Sequence, residues 1–260
     1  MTDKKQNILF VVCAYTFFWV FLAIAAVFLT IGIIPDDEVP MNILITIGSW
    51  IPTMALLVLF KKLYQNKSIK DFYKNAFKER LNWKIFLIAT IVFLLIIVCT
   101  AGIVAIIKKV PLLSLFDLSL RTIVIGFVWS LIQVSGEESG WRGYLQLSLE
   151  KRLSVIKSSI IIGIIWAFWH LPMWFITGYT GWDLIKYILL FVPYCLSGSV
   201  IIGICYDRCR NLIVPIWMHF LASFFLIPLT ADPLDISWIA LFYILAAIGY
   251  IIWYKKIVEK

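Results

Sequence analysis

Four titratable side chains sit where a charge or an imidazole is expensive to keep. Glu137 and Glu138 follow the apolar run Ile123 to Ile132 within VSGEESGWRGYLQ, residues 134–146. The chain's two histidines, His170 and His219, fall inside the apolar stretches GIIWAFWHLPMWF and LIVPIWMHFLASFF. A carboxylate at the centre of a membrane helix costs roughly 2.5–3.5 kcal/mol on insertion scales, so intramembrane Glu and His mark sites of use. One carboxylate and two imidazoles can hydrolyse an acyl bond, above all a peptide bond, in two ways. Glu137, His170 and His219 can hold zinc or another divalent metal with an open position for water. Alternatively, without a metal, Glu137 takes a proton from a water held by His170, while His219 and Ser223 stabilise the tetrahedral oxyanion. The residue types leave both routes open.

Spacing adds detail within each segment. Glu138 and Arg142 are i and i+4, one face of a helix and well placed for an ion pair; Glu137 is turned about 100° away and left for chemistry. Trp166 and His170 share the i, i+4 spacing, as do His219 and Ser223. Pro172 just after His170 and Pro215 one turn before His219 predict kinks, and Gly163 predicts a close helix approach. Competing chemistries lack their motifs: the sequence has no HExxH, GxSxG, P-loop or GxGxxG pattern. Its five cysteines form no CxxC pair, which leaves no redox motif or disulfide framework to read.

The elements that must position these groups are membrane helices. The chain has 260 residues, of which 62% are hydrophobic and 15% charged, against about 45–50% and 25% in a soluble domain. The prediction is an all-α, polytopic membrane helix bundle of about eight spans: 8–34, 41–60, 83–107, 121–137, 155–178, 184–206, 212–229 and 236–254. The first run is too long for a cleaved signal and reads as a retained span. Past the glutamates the fourth span is expected to continue as an interfacial amphipathic helix to about Leu149. Most of the 12 tryptophans are expected in the interfacial belt. The whole chain reads as one membrane domain, 1–260.

Eight spans put all but four of the 23 Lys and Arg residues on the side of the termini; the exceptions are Lys108, Lys109, Arg121 and Lys186. The other side collects acidic residues, among them Asp36, Asp37, Glu38, Asp117, Asp183, Asp232 and Asp235. This asymmetry predicts cytoplasmic termini in a multi-pass protein of the plasma membrane. The net charge of +8 then describes a membrane surface, and no nucleic-acid partner is expected. On this layout His170 lies roughly 18 Å and His219 roughly 10 Å from the cytoplasmic ends of their helices, with the glutamates shallowest. The four meet if the fourth, fifth and seventh spans are neighbours.

EESGWR fits EExxxR, WAFWH is close to FxxxH and HFLAS is close to HxxxN. In this order on successive membrane helices they resemble the CAAX-prenyl-protease and bacteriocin-processing family, also called CPBP or Abi. The resemblance implies an eight-span intramembrane endopeptidase with its catalytic core at 120–230, in which Glu137 activates water and Glu138 is its Arg142-paired neighbour. It further implies that His170 is a second water-activating or metal-binding group, with His219 in the oxyanion or metal shell. Two positions depart: Trp166 stands where the family usually has Phe, an aromatic exchange of little expected consequence, and Ser223 stands where Asn is typical. A membrane-associated peptide or protein is the implied substrate, with the lipid bilayer as surroundings. The Ile- and Lys-rich composition suggests a bacterial chain, hence peptide or bacteriocin processing or self-immunity. The competing reading is a non-catalytic immunity factor or a proton-coupled transporter; a transporter favours inverted repeats of broken helices, and the sequence shows none.

Overall fold

The computed structural model describes residues 2–35, 37–175, 178–232, 234 and 237–258. Asp36, Asp235 and Lys260 of the predicted charge pattern, Ile176 and Thr177 of the predicted fifth span and Ile236 of the eighth lie outside the described residues. Helices follow one another as α1 (Asp3–Thr30), α2 (Glu38–Ser49), α3 (Ile51–Val58), α4 (Phe60–Leu63), α5 (Ile69–Ala76) and α6 (Trp83–Lys108). Then come a 3-10 turn at Leu112–Leu115, α7 (Leu120–Glu138), a π-helix at Ser139–Gln146 and α8 (Leu147–Leu149). The order ends with α9 (Val155–Trp169), α10 (Leu171–Trp174), α11 (Gly181–Cys209), α12 (Ile213–Phe224) and α13 (Trp238–Val258). Among the described residues the only strand-like pairing is an isolated antiparallel bridge between Phe116 and Leu229.

Local chemistry explains several boundaries. Ser119 and Ser154 cap α7 and α9 by accepting from the amides of Thr122 and Lys157, and Asn82 caps α6 in the same way, which satisfies donors that a helix start leaves free. Lys109 and Arg210 end α6 and α11 in the left-handed conformation. Pro52, Pro172 and Pro215 all stand in first turns, of α3, α10 and α12. A first-turn proline lacks an N–H that had no helical partner anyway, so these prolines start helices: the interruption expected near Pro172 falls at His170, between α9 and α10, and Pro215 interrupts no helix.

The bundle is built around α11, which packs against α9, α12 and α13. A Cβ on Gly163 would come 2.8 Å from Leu196 Cα, so the predicted close approach is that of α9 to α11. On the other side α7 lies between α12 and the α2–α3 pair, and α1 covers α3 and α9. Exposed apolar residues such as Val20, Val58, Ile106 and Leu189 give the bundle a lipid-compatible skin. Among the described residues five segments are long and apolar enough to cross a membrane: Asp3–Thr30, Glu38–Val58, Trp83–Lys108, Gly181–Cys209 and Trp238–Val258.

Of the remaining predicted spans the fourth forms as expected, as α7 (Leu120–Glu138), whereas the fifth and seventh, which carry the histidines, are shorter than expected. The fifth stops at His170, where α9 gives way to α10, and the seventh ends at Phe224 before a turn. The second is broken at Trp50 between α2 and α3. Beyond the glutamates the chain continues to Leu149 as expected, but not as an interfacial amphipathic helix. All eight residues of Ser139–Gln146 are buried, as a π-helix, because Trp141 packs between Phe10 of α1 and Trp169 of α9. The tryptophan belt is also incomplete: Trp141, Trp166, Trp169 and Trp174 are core residues.

Candidate functional site

The glutamate turn is set by small residues facing α3. Gly136 and Gly140 flank the pair; an added Cβ on the first would lie 2.5 Å from Trp50 Cδ1, and on the second 2.8 Å from the backbone of Pro52. Two side chains of the broken second span bind the turn. Trp50 Nε1 donates to the carbonyl of Ile132 at 3.0 Å, and the Thr53 hydroxyl donates to that of Gly136 at 2.6 Å. The carbonyl of Gly136 stands just before the α-to-π change, where the i→i−4 ladder is interrupted; π-helical turns inside helices are frequent at functional sites. No motif in the first three spans points to Trp50 or Thr53. The spacing Gly136-x-x-x-Gly140 was the available signal, since small residues four apart let helix backbones approach.

The two carboxylates stand where α7 passes into the π-helix, and both are sheltered from solvent. Glu138 is fully buried and Glu137 is 5% exposed, with the chain continuing past both. Their partners divide cleanly. Glu138 Oε1 accepts from Arg142 Nη1 at 3.0 Å, the predicted i, i+4 pair, and from His219 Nδ1 at 2.8 Å. Glu137 Oε2 accepts from the indole Nε1 of Trp166 at 2.7 Å, and its Oε1 has no hydrogen-bond partner among the described residues. The Glu138–Arg142 pair expected from the spacing forms; the contacts to Trp166 and His219 were not legible in it.

His170 Nδ1 lies 2.8 Å from the carbonyl of Trp166. A carbonyl only accepts, so Nδ1 carries the proton and the neutral ring presents a bare Nε2. His219 faces Glu138 in the same manner, which likewise turns its Nε2 away from that carboxylate. The imidazoles are tied together by the indole of Trp166, whose ring centre is 4.8 Å from that of His219 and 5.7 Å from that of His170, both edge-on. The Arg142 guanidinium lies over the same indole at 5.3 Å. Arg142 Nε and Nη2 and Glu138 Oε2 are buried without hydrogen-bond partners among the described residues.

The structure therefore brings Glu137, Glu138, Arg142, Trp166, His170 and His219 into one continuous set of contacts. Ser223 sits one turn beyond His219, half-buried, with no side-chain hydrogen bond among the described residues. Thr90, Thr100, Ser135 and Ser159, by contrast, each bond the carbonyl four residues back. Among the described residues no three His, Cys, Asp or Glu side chains are grouped to hold a metal ion. Glu137, His170 and His219 thus do not form such a set in this arrangement.

Residues 118–225 match the family described as type II CAAX prenyl endopeptidase, Rce1-like. A protein of Methanococcus maripaludis named CAAX prenyl protease 2 is 29% identical over 213 residues, an alignment that covers 77% of this chain and 78% of that relative. The matched segment runs from just before α7 to the end of α12 and contains every residue of the buried polar set. The apolar helices make the chain a multi-pass membrane protein. Through residues 118–225 it is similar to the Rce1-like, type II CAAX prenyl endopeptidases.

Proposed function

We propose that this chain is an intramembrane endopeptidase that uses Glu137 as its base. The observation that carries the reading is the division between the carboxylates. Glu138 is committed to Arg142 and His219, whereas Glu137 keeps one oxygen free beside two imidazoles. In the proposed reaction Glu137 Oε1 takes one proton from a water whose other hydrogen is held by His170 Nε2. The water oxygen bonds to the scissile carbonyl carbon, and the carbonyl π electrons move onto its oxygen. His219, as an imidazolium beside Glu138, donates its Nε2–H to that oxyanion, with the Ser223 hydroxyl as second donor. With His219 charged, the two carboxylates, the guanidinium and the imidazolium sum to zero, which suits a buried site. The oxyanion then collapses, the C–N bond breaks, and Glu137 returns its proton to the departing amine. The second water hydrogen passes from the new carboxyl group to His170 Nε2, so the products are one carboxylate and one amine, and His170 then releases that proton to solvent. No step is routed through a metal, because the candidate ligands do not form a metal-holding group.

The substrate class follows from the kinship: a peptide anchored in the membrane by a prenylated C-terminal cysteine, cut near the cytoplasmic face of the plasma membrane. In a bacterial setting the same chemistry serves processing of a peptide or bacteriocin, or immunity to one. The test uses purified protein in nanodiscs and an internally quenched peptide ending in a farnesylated Cys-a-a-X sequence, with and without chelator. Wild-type cleavage should survive the chelator, and Glu137→Gln should abolish it while remaining folded. Cleavage lost on chelation and restored by zinc would overturn the metal-free mechanism, and full activity of Glu137→Gln would overturn the base. A non-catalytic immunity factor or a transporter would release no fragment.

A further inference from the structure

We infer that Trp166 is a positioning residue for the hydrolysis, fixing the free oxygen of Glu137 against both histidines; the inference rests on the reading of Glu137 as the base. Trp166 is the one side chain that touches every other member of the buried set except Glu138. Its Nε1–H donates to Glu137 Oε2 at 2.7 Å. Its backbone carbonyl holds His170 Nδ1 at 2.8 Å. Its ring edges meet both imidazoles, and its face lies beneath the Arg142 guanidinium. Both ends of the Glu137–Trp166 bond are only 5% exposed, so water does not compete strongly for it.

The physical need is specific. The last torsion of a glutamate side chain is broad and roughly two-fold, so an unheld carboxylate presents either oxygen in a range of orientations. A donor on Oε2 removes that freedom and leaves Oε1 for the water. The ring contacts and the backbone bond to His170 could be made by any large aromatic residue, phenylalanine included. The bond to Glu137 could not, because phenylalanine has no N–H. At this position the exchange of one aromatic for another therefore changes the chemistry available to the site.

Two substitutions isolate the N–H. Trp166→Phe keeps an aromatic ring. Replacing Trp166 with 3-benzothienylalanine keeps the two-ring shape and loses only the donor. Cleavage of the farnesylated quenched peptide should fall about 10- to 100-fold in kcat with KM kept, the scale of a misplaced reacting group. A packing role would spare the benzothienyl variant. The second readout needs no substrate. In protein labelled with 15N-tryptophan, the indole resonance missing from Trp166→Phe is that of Trp166. It should move upfield in Glu137→Gln, since a neutral amide oxygen is a weaker acceptor than a carboxylate. A resonance that stays in place, or unchanged kcat in both Trp166 variants beside an inactive Glu137→Gln, overturns this inference alone. Cleavage retained by Glu137→Gln overturns the base reading and this inference with it.

Discussion

Gly136→Ala should damage the site without touching a reacting atom. The new Cβ would lie 2.5 Å from Trp50 Cδ1, 2.6 Å from its Cγ and 2.8 Å from its Cα. Carbon atoms in contact prefer about 3.5–4.0 Å, so α7 and α3 must separate by about 1 Å. Trp50 cannot rotate clear, because its backbone is one of the contacts and its indole is bonded to Ile132. The Thr53 bond to Gly136, now 2.6 Å, would stretch to about 3.6 Å, where it ceases to be a hydrogen bond. A similar displacement of Glu137, the next residue, would lengthen its 2.7 Å bond to Trp166 to about 3.7 Å. Overpacking costs about 1–3 kcal/mol and the lost Thr53 bond about 1 kcal/mol more. Misplacement of this size lowers turnover by about 10²-fold. Gly102→Ala in α6 is the control, because its Cβ would meet nothing within 4 Å. Alanine there should be neutral or stabilise the helix by up to about 1 kcal/mol. Thermal unfolding in detergent and kcat on the quenched peptide read both effects. A Gly136→Ala protein with wild-type stability and turnover, or equal losses in Gly102→Ala, would refute the close-approach argument.

Other perturbations separate architecture from chemistry. Glu138→Gln and Arg142→Ala each leave a buried charge without its partner, a loss of about 3–5 kcal/mol; both should lower the yield of monodisperse protein in size-exclusion chromatography, and normal yields would show that the pair is dispensable to the fold. Ser223→Asn should preserve or raise kcat by extending a longer donor from the same helix face, while Ser223→Ala loses less than His219→Ala; an inactive, folded Ser223→Asn beside a fully active Ser223→Ala would remove Ser223 from the oxyanion site. Lys70→Cys, in α5 between the second and third predicted spans, should resist an impermeant thiol reagent in intact cells stripped of other accessible cysteines, as the basic-residue asymmetry requires; strong labelling would reverse the orientation.

The membrane class and the identity of the polar set were legible because both depend on rare events. Few titratable residues fall inside apolar runs, and Glu137, Glu138, His170 and His219 are all of that kind. The Glu138–Arg142 pair was legible because helical spacing alone brings the two together. Helix ends were less so. Hydropathy sees Leu171, Pro172, Met173 and Trp174 as a continuation of α9, and only the proline and the backbone turn at His170 end it. The burial of Ser139–Gln146 was hidden for a related reason. SGWRGYLQ looks amphipathic, and its polar side chains are sheltered by residues far away in the chain, including Phe10 and Trp169. Trp166 was undervalued because a substitution scored by size and aromaticity does not count an N–H. Thr53 and Trp50 escaped because their work is done on backbone carbonyls, which no side-chain motif records.

Those carbonyl bonds bear on how the chain may be divided. The stretch that matches the family model, 118–225, is not a mechanical unit. Thr53 and Trp50 grip its glutamate turn, Pro52 forms the wall beside Gly140, and Phe10 closes over Trp141. A transplant or truncation bounded by the inherited segment would carry all the reacting groups and leave their mould behind. Exchanges between relatives should succeed when α1 to α3 travel with the segment they clasp.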